Sequence, residues 1–135
     1  MRTDQALGLL TSLQPSSTVV ASTCGTKGDA AYLQMTVGPR WAVVSSPGDR
    51  WFSLEVDGGF AIDHFEEDTP EGEIHEILSN YVELALAYLR EPTTPRPSGR
   101  FGLPVVEIVN DHNRAVLRRS LWKSLRSPWR RHDDW

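Results

Sequence analysis

The pattern of apolar and polar positions predicts a short helix followed by a series of strands. Apolar residues recur every three or four positions from Asp4 to Leu13, as on one face of a helix, and Asp4 is the expected N-terminal cap. From Thr18 to Phe65, short β-type runs are separated by turn residues. Apolar and polar residues alternate in Ala30–Val37, which is the period of a half-buried strand. The glycine-rich turn 57–59 joins two further runs as a hairpin. The pattern therefore predicts a five-stranded antiparallel meander with one face toward water, on which Ser53, Glu55 and Asp57 lie.

A long amphipathic helix is predicted after these strands. Thr69 is the expected N-cap, and Pro70 suits the first helical position because proline has no N–H to leave unpaired. Apolar residues from Ile74 to Leu89 then form one continuous stripe at helical spacing. We expect this helix to cover the apolar face of the sheet.

The C-terminal third is less regular. Residues 91–104 contain four prolines and two glycines, which predicts an extended surface loop, and Val105–Val109 reads as a strand. Two interpretations remain for residues 111–127. In the first, Arg114–Arg119 returns as a hairpin strand and Ser120–Ser127 forms a short helix; in the second, the whole segment is helical. The Asn/Asp-rich turn 110–113 favours the first.

Together these elements predict an α+β fold. An antiparallel β-meander of about five to seven strands packs against one long amphipathic helix, with short helices at the N and C termini. The chain has 135 residues, 39% hydrophobic and 24% charged, which is ordinary for one globular domain. We expect a single domain over residues 1–127 and an Arg/Trp-rich tail over 128–135.

Composition bears on location and redox chemistry. No apolar run approaches the length of about 20 residues that spans a bilayer, and residues 1–13 do not resemble a signal peptide. The single cysteine, Cys24, excludes an intramolecular disulfide and a thiolate metal cluster. We therefore expect a cytoplasmic protein without a membrane partner.

Charge is distributed unevenly along the chain. Residues 1–91 contain 14 acidic and 5 basic residues, whereas residues 92–135 contain 4 acidic and 9 basic residues. The net charges of the two parts are thus −9 and +5. Oppositely charged surfaces on one small domain either neutralise each other or contact partners of opposite charge.

Motifs for catalysis and cofactor binding are not found in the sequence. There is no G-x-S-x-G nucleophile motif, and the segment 25–28 lacks the order of a phosphate-binding loop. The following residues do not match zinc or calcium spacing, and an acidic loop preceding a helix explains them better: Asp63, His64, Glu66, Glu67, Asp68 and His75. We therefore predict no catalytic residue, cofactor or metal site.

The C-terminal arginines and tryptophans suggest a different partner. Arginine interleaved with tryptophan suits nucleic acid, but an isoelectric point near 5.5 and a long acidic stretch argue against a polyanionic partner. Trp129 and Trp135 are instead predicted to contact a protein, because tryptophan is enriched where binding energy concentrates.

The layout of the chain resembles a known class of proteins. The segment Trp51–Phe60, the acidic run Asp63–Asp68, the amphipathic helix and the segment Val105–Leu117 look like small actinobacterial immunity-type proteins of polymorphic toxin systems. The resemblance implies a stoichiometric inhibitor that covers the basic active site of a toxin with an acidic surface. Carried onto this chain, that role falls on Asp63, Glu66, Glu67, Asp68, Glu73 and Glu76.

Two alternatives accompany this non-catalytic interpretation. One is an adaptor or assembly subunit that binds a partner, or itself, through the Arg/Trp-rich C-terminus; the protein is then a monomer or a homodimer. The other is a small enzyme that uses Asp63, His64 or His75.

Overall fold

The computed structural model describes residues 2–48, 50–66, 69–99, 102–110 and 114–119. In these residues it contains two helices and one eight-stranded sheet. The helices are α1 (Thr3–Ser12) and α2 (Glu71–Arg90). The strands are β1 (Ala21–Lys27), β2 (Ala30–Val37), β3 (Arg40–Ser46), β4 (Trp51–Val56), β5 (Phe60–Phe65), β6 (Arg96–Ser98), β7 (Leu103–Val109) and β8 (Arg114–Arg119).

The sheet is antiparallel throughout, with the order β1-β2-β3-β4-β5-β8-β7-β6. Successive turns join β1 to β5 as a meander. After α2 the chain enters at the far edge with β6 and returns through β7, so that β8 pairs with β5. The prediction of an α+β fold with an antiparallel sheet is confirmed, although eight strands replace the predicted five to seven.

The additional strand lies in the segment predicted to be a loop. Within 91–104, residues Arg96–Ser98 form β6 and pair with the start of β7. Pro97 lies opposite Pro104, and neither has an N–H to donate. Such a strand is tolerated only at the edge of a sheet, which is where β6 lies.

The hairpin interpretation of the C-terminal region is confirmed for the strand β8. Val106 pairs with Leu117, and Ile108 with Ala115, in a regular antiparallel ladder. The alternative of one helix over 111–127 is therefore wrong for Arg114–Arg119. The predicted helix Ser120–Ser127 and the tail 128–135 lie outside the described residues.

Both predicted N-cap residues are wrong, although each helix begins close to its predicted position. Helix α1 is capped by Arg2, whose N–H donates to the Gln5 side chain at 2.8 Å, and Asp4 lies in the first turn. Helix α2 begins at Glu71, because Pro70 has an extended ψ of 144°. Thr69 instead donates its hydroxyl to the carbonyl of Glu66 at 2.8 Å, within the preceding loop.

The hydrophobic core lies between one face of the sheet and the two helices. Leu33, Val44 and Leu54 are neighbours in register across three strands and are fully buried. Ile74 and Leu78 of α2 join the same cluster. Each large apolar side chain that is buried in this way contributes roughly 1.5–3 kcal/mol.

The opposite face of the sheet, here called the outer face, is not open to water at its centre. Glu55 is only 1% exposed, Val43 is 1% exposed and Trp41 is 4% exposed. The expectation that Ser53 and Glu55 face solvent is therefore wrong. Apolar Trp41 and Val43 alternate with the inward residues of β3, so this strand has apolar groups on both faces.

Two glycines provide a matched test of backbone conformation. Gly58 lies in the β4–β5 turn with φ of +89°, and an added Cβ would lie 3.1 Å from the Phe60 ring. Gly8 lies within α1, where an added Cβ meets nothing within 4 Å. We expect Gly58→Ala to lower the free energy of unfolding by about 1–2 kcal/mol, and Gly8→Ala to raise it by up to about 1 kcal/mol. Urea denaturation followed by circular dichroism measures both; equal effects of one sign would contradict the assigned turn.

Candidate functional site

The predicted acidic residues on α2 lie on its exposed side. Glu73 and Glu76 are both exposed, and a spacing of three residues makes them neighbours on the helix surface. Glu71 is also exposed in the first turn, where the helix dipole favours negative charge. These three carboxylates, here called the α2 acidic face, make no ion pair with a described cation.

The acidic residues near β5 are arranged differently. Asp63 pairs with Ser53 on β4, and its carboxylate lies within electrostatic reach of Tyr81 of α2, whose pKa burial and this charge both raise. His64 lies on the helix side beside Phe52, with ring centroids 5.9 Å apart. Its Nε2 lies 3.1 Å from Glu66 Oε2, so the structure brings these two side chains together.

The predicted partner-binding residues that are described come from two parts of the fold, α2 and the region of β5. Glu73 and Glu76 belong to the α2 acidic face, Asp63 lies on β5 within electrostatic reach of Tyr81 of α2, and Glu66 pairs with His64. Glu67, Asp68, Trp129 and Trp135 lie outside the described residues. Among the residues that are described, no three His, Cys, Asp or Glu side chains are grouped to hold a metal ion.

Asp57, which the sequence pattern placed on the solvent side, connects three elements of the fold and is here called the Asp57 junction. Asp57 Oδ1 accepts the Tyr88 hydroxyl at 2.9 Å and the Trp41 N–H at 3.1 Å. The Asp57 N–H also donates to the Trp41 carbonyl at 3.1 Å. One side chain thus joins β3, the β4–β5 turn and α2. No local pattern signals this contact, because Tyr88 is 31 residues away in sequence.

The surroundings of Tyr88 are also electrostatically distinct. Burial raises the pKa of the Tyr88 hydroxyl, and the Asp57 carboxylate raises it further, because both disfavour a phenolate. The positive charge of Arg40 acts in the opposite direction. Arg40 therefore lies within electrostatic reach of the Asp57 junction.

A groove opens beside this junction. It has a volume of about 720 Å³ and lies between the segment after α1, the β2–β3 turn and the C-terminal half of α2. Eleven described residues line it: Pro15, Ser17, Val19, Val20, Val37, Arg40, Glu83, Leu86, Leu89, Arg90 and Asn110. Sequence reasoning missed it, since these residues come from distant segments.

The outer face of β6–β8 carries a compact ionic cluster. Glu107 Oε2 accepts from Arg114 at 2.8 Å and from Arg96 at 3.0 Å. The hydrogen bond from Arg114, with the charges of both arginines, lowers the pKa of the Glu107 carboxyl against an opposing effect of burial. Arg96 and Arg114 are thus paired with Glu107 within the fold, and we assign this cluster a structural role.

Cys24, the remaining nucleophile of interest, is half-buried on β1. Burial raises the pKa of its thiol, which a hydrogen bond involving Thr11 only partly offsets. Little of it is therefore the reactive thiolate at neutral pH.

Comparison with known proteins adds no identification. No protein-family model, curated protein or solved structure matches the chain. Neither of the two described helices is both long enough and apolar enough to cross a membrane.

The Asp57 junction generates a prediction about stability. Asp57→Ala leaves the Tyr88 hydroxyl and the Trp41 N–H without their acceptor, and we expect a loss of about 1–3 kcal/mol in the free energy of unfolding. Tyr88→Phe removes one hydrogen bond and should cost about 0.5–1.5 kcal/mol. A double-mutant cycle by urea denaturation measures their coupling.

Asp4→Ala is the control for the Asp57 variant. Among the described residues Asp4 pairs only with Arg2, at the exposed start of α1, so its loss should change stability by less than about 0.5 kcal/mol. An Asp57→Ala cost no larger than this would show that the junction does not hold α2 in place.

The Glu107 cluster generates a prediction about pH. Because folding lowers the Glu107 pKa, this carboxylate stabilises the protein above its unfolded pKa, and the contribution disappears as pH falls through the folded pKa. We expect Glu107→Gln to lower the melting temperature at pH 7. The difference from the native chain should close as pH falls from about 5 to 3. Thermal circular dichroism measures it.

Glu91→Gln serves as the control, because Glu91 makes no ion pair with a described residue. A Glu107→Gln deficit that persists unchanged at pH 3 would mean that packing, rather than charge, accounts for it.

Proposed function

We propose that this chain is a non-catalytic protein-binding module that docks a basic partner through the α2 acidic face. The observation that carries the proposal is the exposure of Glu71, Glu73 and Glu76 without an ion pair to any described cation. Their charges are not neutralised by the described fold, so the negative potential is available to a partner.

Helix α2 is suited to present such a surface. Its opposite side is anchored by Ile74, Leu78 and the Tyr88 hydroxyl, so the exposed side is held in a fixed orientation. A rigid charged surface loses little conformational entropy on binding. Charge complementarity then accelerates encounter with a basic surface and disfavours acidic proteins.

An inhibitory, immunity-type role is the specific form of this proposal. It is supported by the resemblance of Trp51–Phe60, Asp63–Asp68 and Val105–Leu117 to immunity-type proteins of polymorphic toxin systems. Such a protein acts stoichiometrically, by covering a basic active site. The single Cys24, which leaves no intramolecular disulfide, supports a cytoplasmic location for this interaction.

Charge reversal on α2 tests the proposal. The double variant Glu73→Lys/Glu76→Lys should retain the fold, since both side chains are exposed. The native chain is used at low salt to isolate a basic protein from the source lysate, and the association rate is then measured by stopped flow. We expect the variant to associate at least about tenfold more slowly, and the native rate to fall as salt screens the charges.

Asp4→Lys/Asp29→Lys is the matched control. It introduces the same change in charge on exposed side chains outside α2. Equal association rates for the two double variants would contradict docking on the α2 acidic face. If the isolated protein is an enzyme, titration of its activity tests inhibition, and activity that is unaffected at equimolar ratio would contradict the immunity-type role.

A further inference from the structure

The groove beside the Asp57 junction has the composition of a small-molecule site. Its apolar part is formed by side chains from the segment after α1, from β2 and from α2, including Val20, Val37, Leu86 and Leu89. Val19, on the same lining, is 72% exposed. An apolar surface with a few polar groups and a volume of about 720 Å³ is typical of sites that enclose a small ligand.

Arg40 supplies the polar feature that specifies the ligand. Its Nε is buried and has no hydrogen-bond partner. The guanidinium makes no ion pair with a carboxylate in the described chain. Arginine remains charged in proteins, and a buried donor without an acceptor is unfavourable. Arg40 also lines the groove, so its positive charge attracts an anionic ligand that enters there.

One oxygen of the Asp57 carboxylate is already engaged elsewhere in the fold. Asp57 and Arg40 both act on the pKa of the Tyr88 hydroxyl, Asp57 by raising it and Arg40 by lowering it. Asp57 Oδ1 already accepts hydrogen bonds from the Tyr88 hydroxyl and the Trp41 N–H. These hydrogen bonds direct the Asp57 carboxylate toward β3 and α2, and Arg40 makes no ion pair with it or with another described carboxylate.

We propose that this groove binds a free amphiphilic monocarboxylate, a medium-chain fatty acid, with its carboxylate on Arg40 and its chain against Val20, Val37 and Leu86. Carboxylate and guanidinium match in charge and in planar, bidentate geometry. The lining carries the charges of Arg40, Arg90 and Glu83, a net of +1, which favours a ligand with a single negative charge. One acidic head and one apolar tail therefore fit the lining.

The extent of the groove favours a small ligand over a protein surface. Eleven described residues line it, whereas a stable protein–protein interface engages about 20–30 residues on each side. The site does not overlap Glu71, Glu73 and Glu76, so it does not depend on the function proposed above.

Isothermal titration calorimetry with matched ligands tests the site without any mutation. The probes are decanoate and decyltrimethylammonium below their critical micelle concentrations, decanol below its solubility in water, and a short peptide that ends in a free leucine carboxylate. We expect decanoate to bind at least about tenfold more tightly than decanol, because a charge-assisted hydrogen bond is lost with the alcohol. The cationic ligand should bind no better than decanol.

Three variants then locate the binding. Arg40→Gln should reduce the preference for decanoate over decanol at least severalfold, whereas Arg118→Gln, an exposed arginine on β8, should leave it unchanged. Val19→Glu adds a negative charge at an exposed position of the lining and should weaken decanoate binding at least severalfold without disturbing the fold. Circular dichroism checks that each variant is folded.

Several outcomes would overturn the proposal. No heat of binding with decanoate, equal affinity for decanoate and decanol, or tighter binding of the leucine-terminated peptide each excludes a fatty acid as the ligand. Decanoate affinity that is the same in folded Arg40→Gln excludes the assigned carboxylate contact. None of these results bears on the charge-reversal experiment, so the two proposals fail separately.

Discussion

One carboxylate oxygen, Asp57 Oδ1, connects three elements of this protein: β3, the β4–β5 turn and α2. Asp57 Oδ1 accepts hydrogen bonds from the backbone of β3 and from the Tyr88 hydroxyl of α2, while the same residue begins the β4–β5 turn. Apolar packing between α2 and the sheet supplies most of the stabilisation, and the hydrogen bond from the Tyr88 hydroxyl adds a directional contact between the helix and the β4–β5 turn. The α2 acidic face and part of the groove lining belong to the helix that makes this contact.

Much of the fold follows from local patterns. Period-two alternation and glycine-rich turns mark β1–β5, helical spacing marks α2, and the polar turn 110–113 marks the β7–β8 hairpin. Where the prediction is wrong, the deciding contact is distant. Strand β6 exists because β7 offers an edge to Arg96–Ser98, despite its proline. Glu55 is buried, although the alternation of apolar and polar residues along β4 places it on the face predicted to be exposed. The local pattern does not report burial of the outer face, because that burial depends on the whole chain.

The same distinction separates the two surfaces of functional interest. Glu73 and Glu76 are foreseeable as exposed neighbours, since three residues nearly complete a helical turn. The groove is not foreseeable, because Val19, Arg40 and Leu86 meet only after the sheet and α2 have assembled. Asp63 and His64 show that residues adjacent in sequence need not form one site. Strand alternation directs their two side chains to opposite faces of the sheet.

The two ends of the sheet differ in a way that limits self-association. At one end, β6 presents Arg96 and Pro97, which disfavour the addition of another strand. At the other end, β1 has neither proline nor charge from Ala21 to Thr26, and no described strand pairs with its outer edge. When two molecules pair through their β1 strands, the unpaired edge of each sheet becomes hydrogen-bonded to the other. Growth by this route ends at a closed pair and does not continue into a fibre.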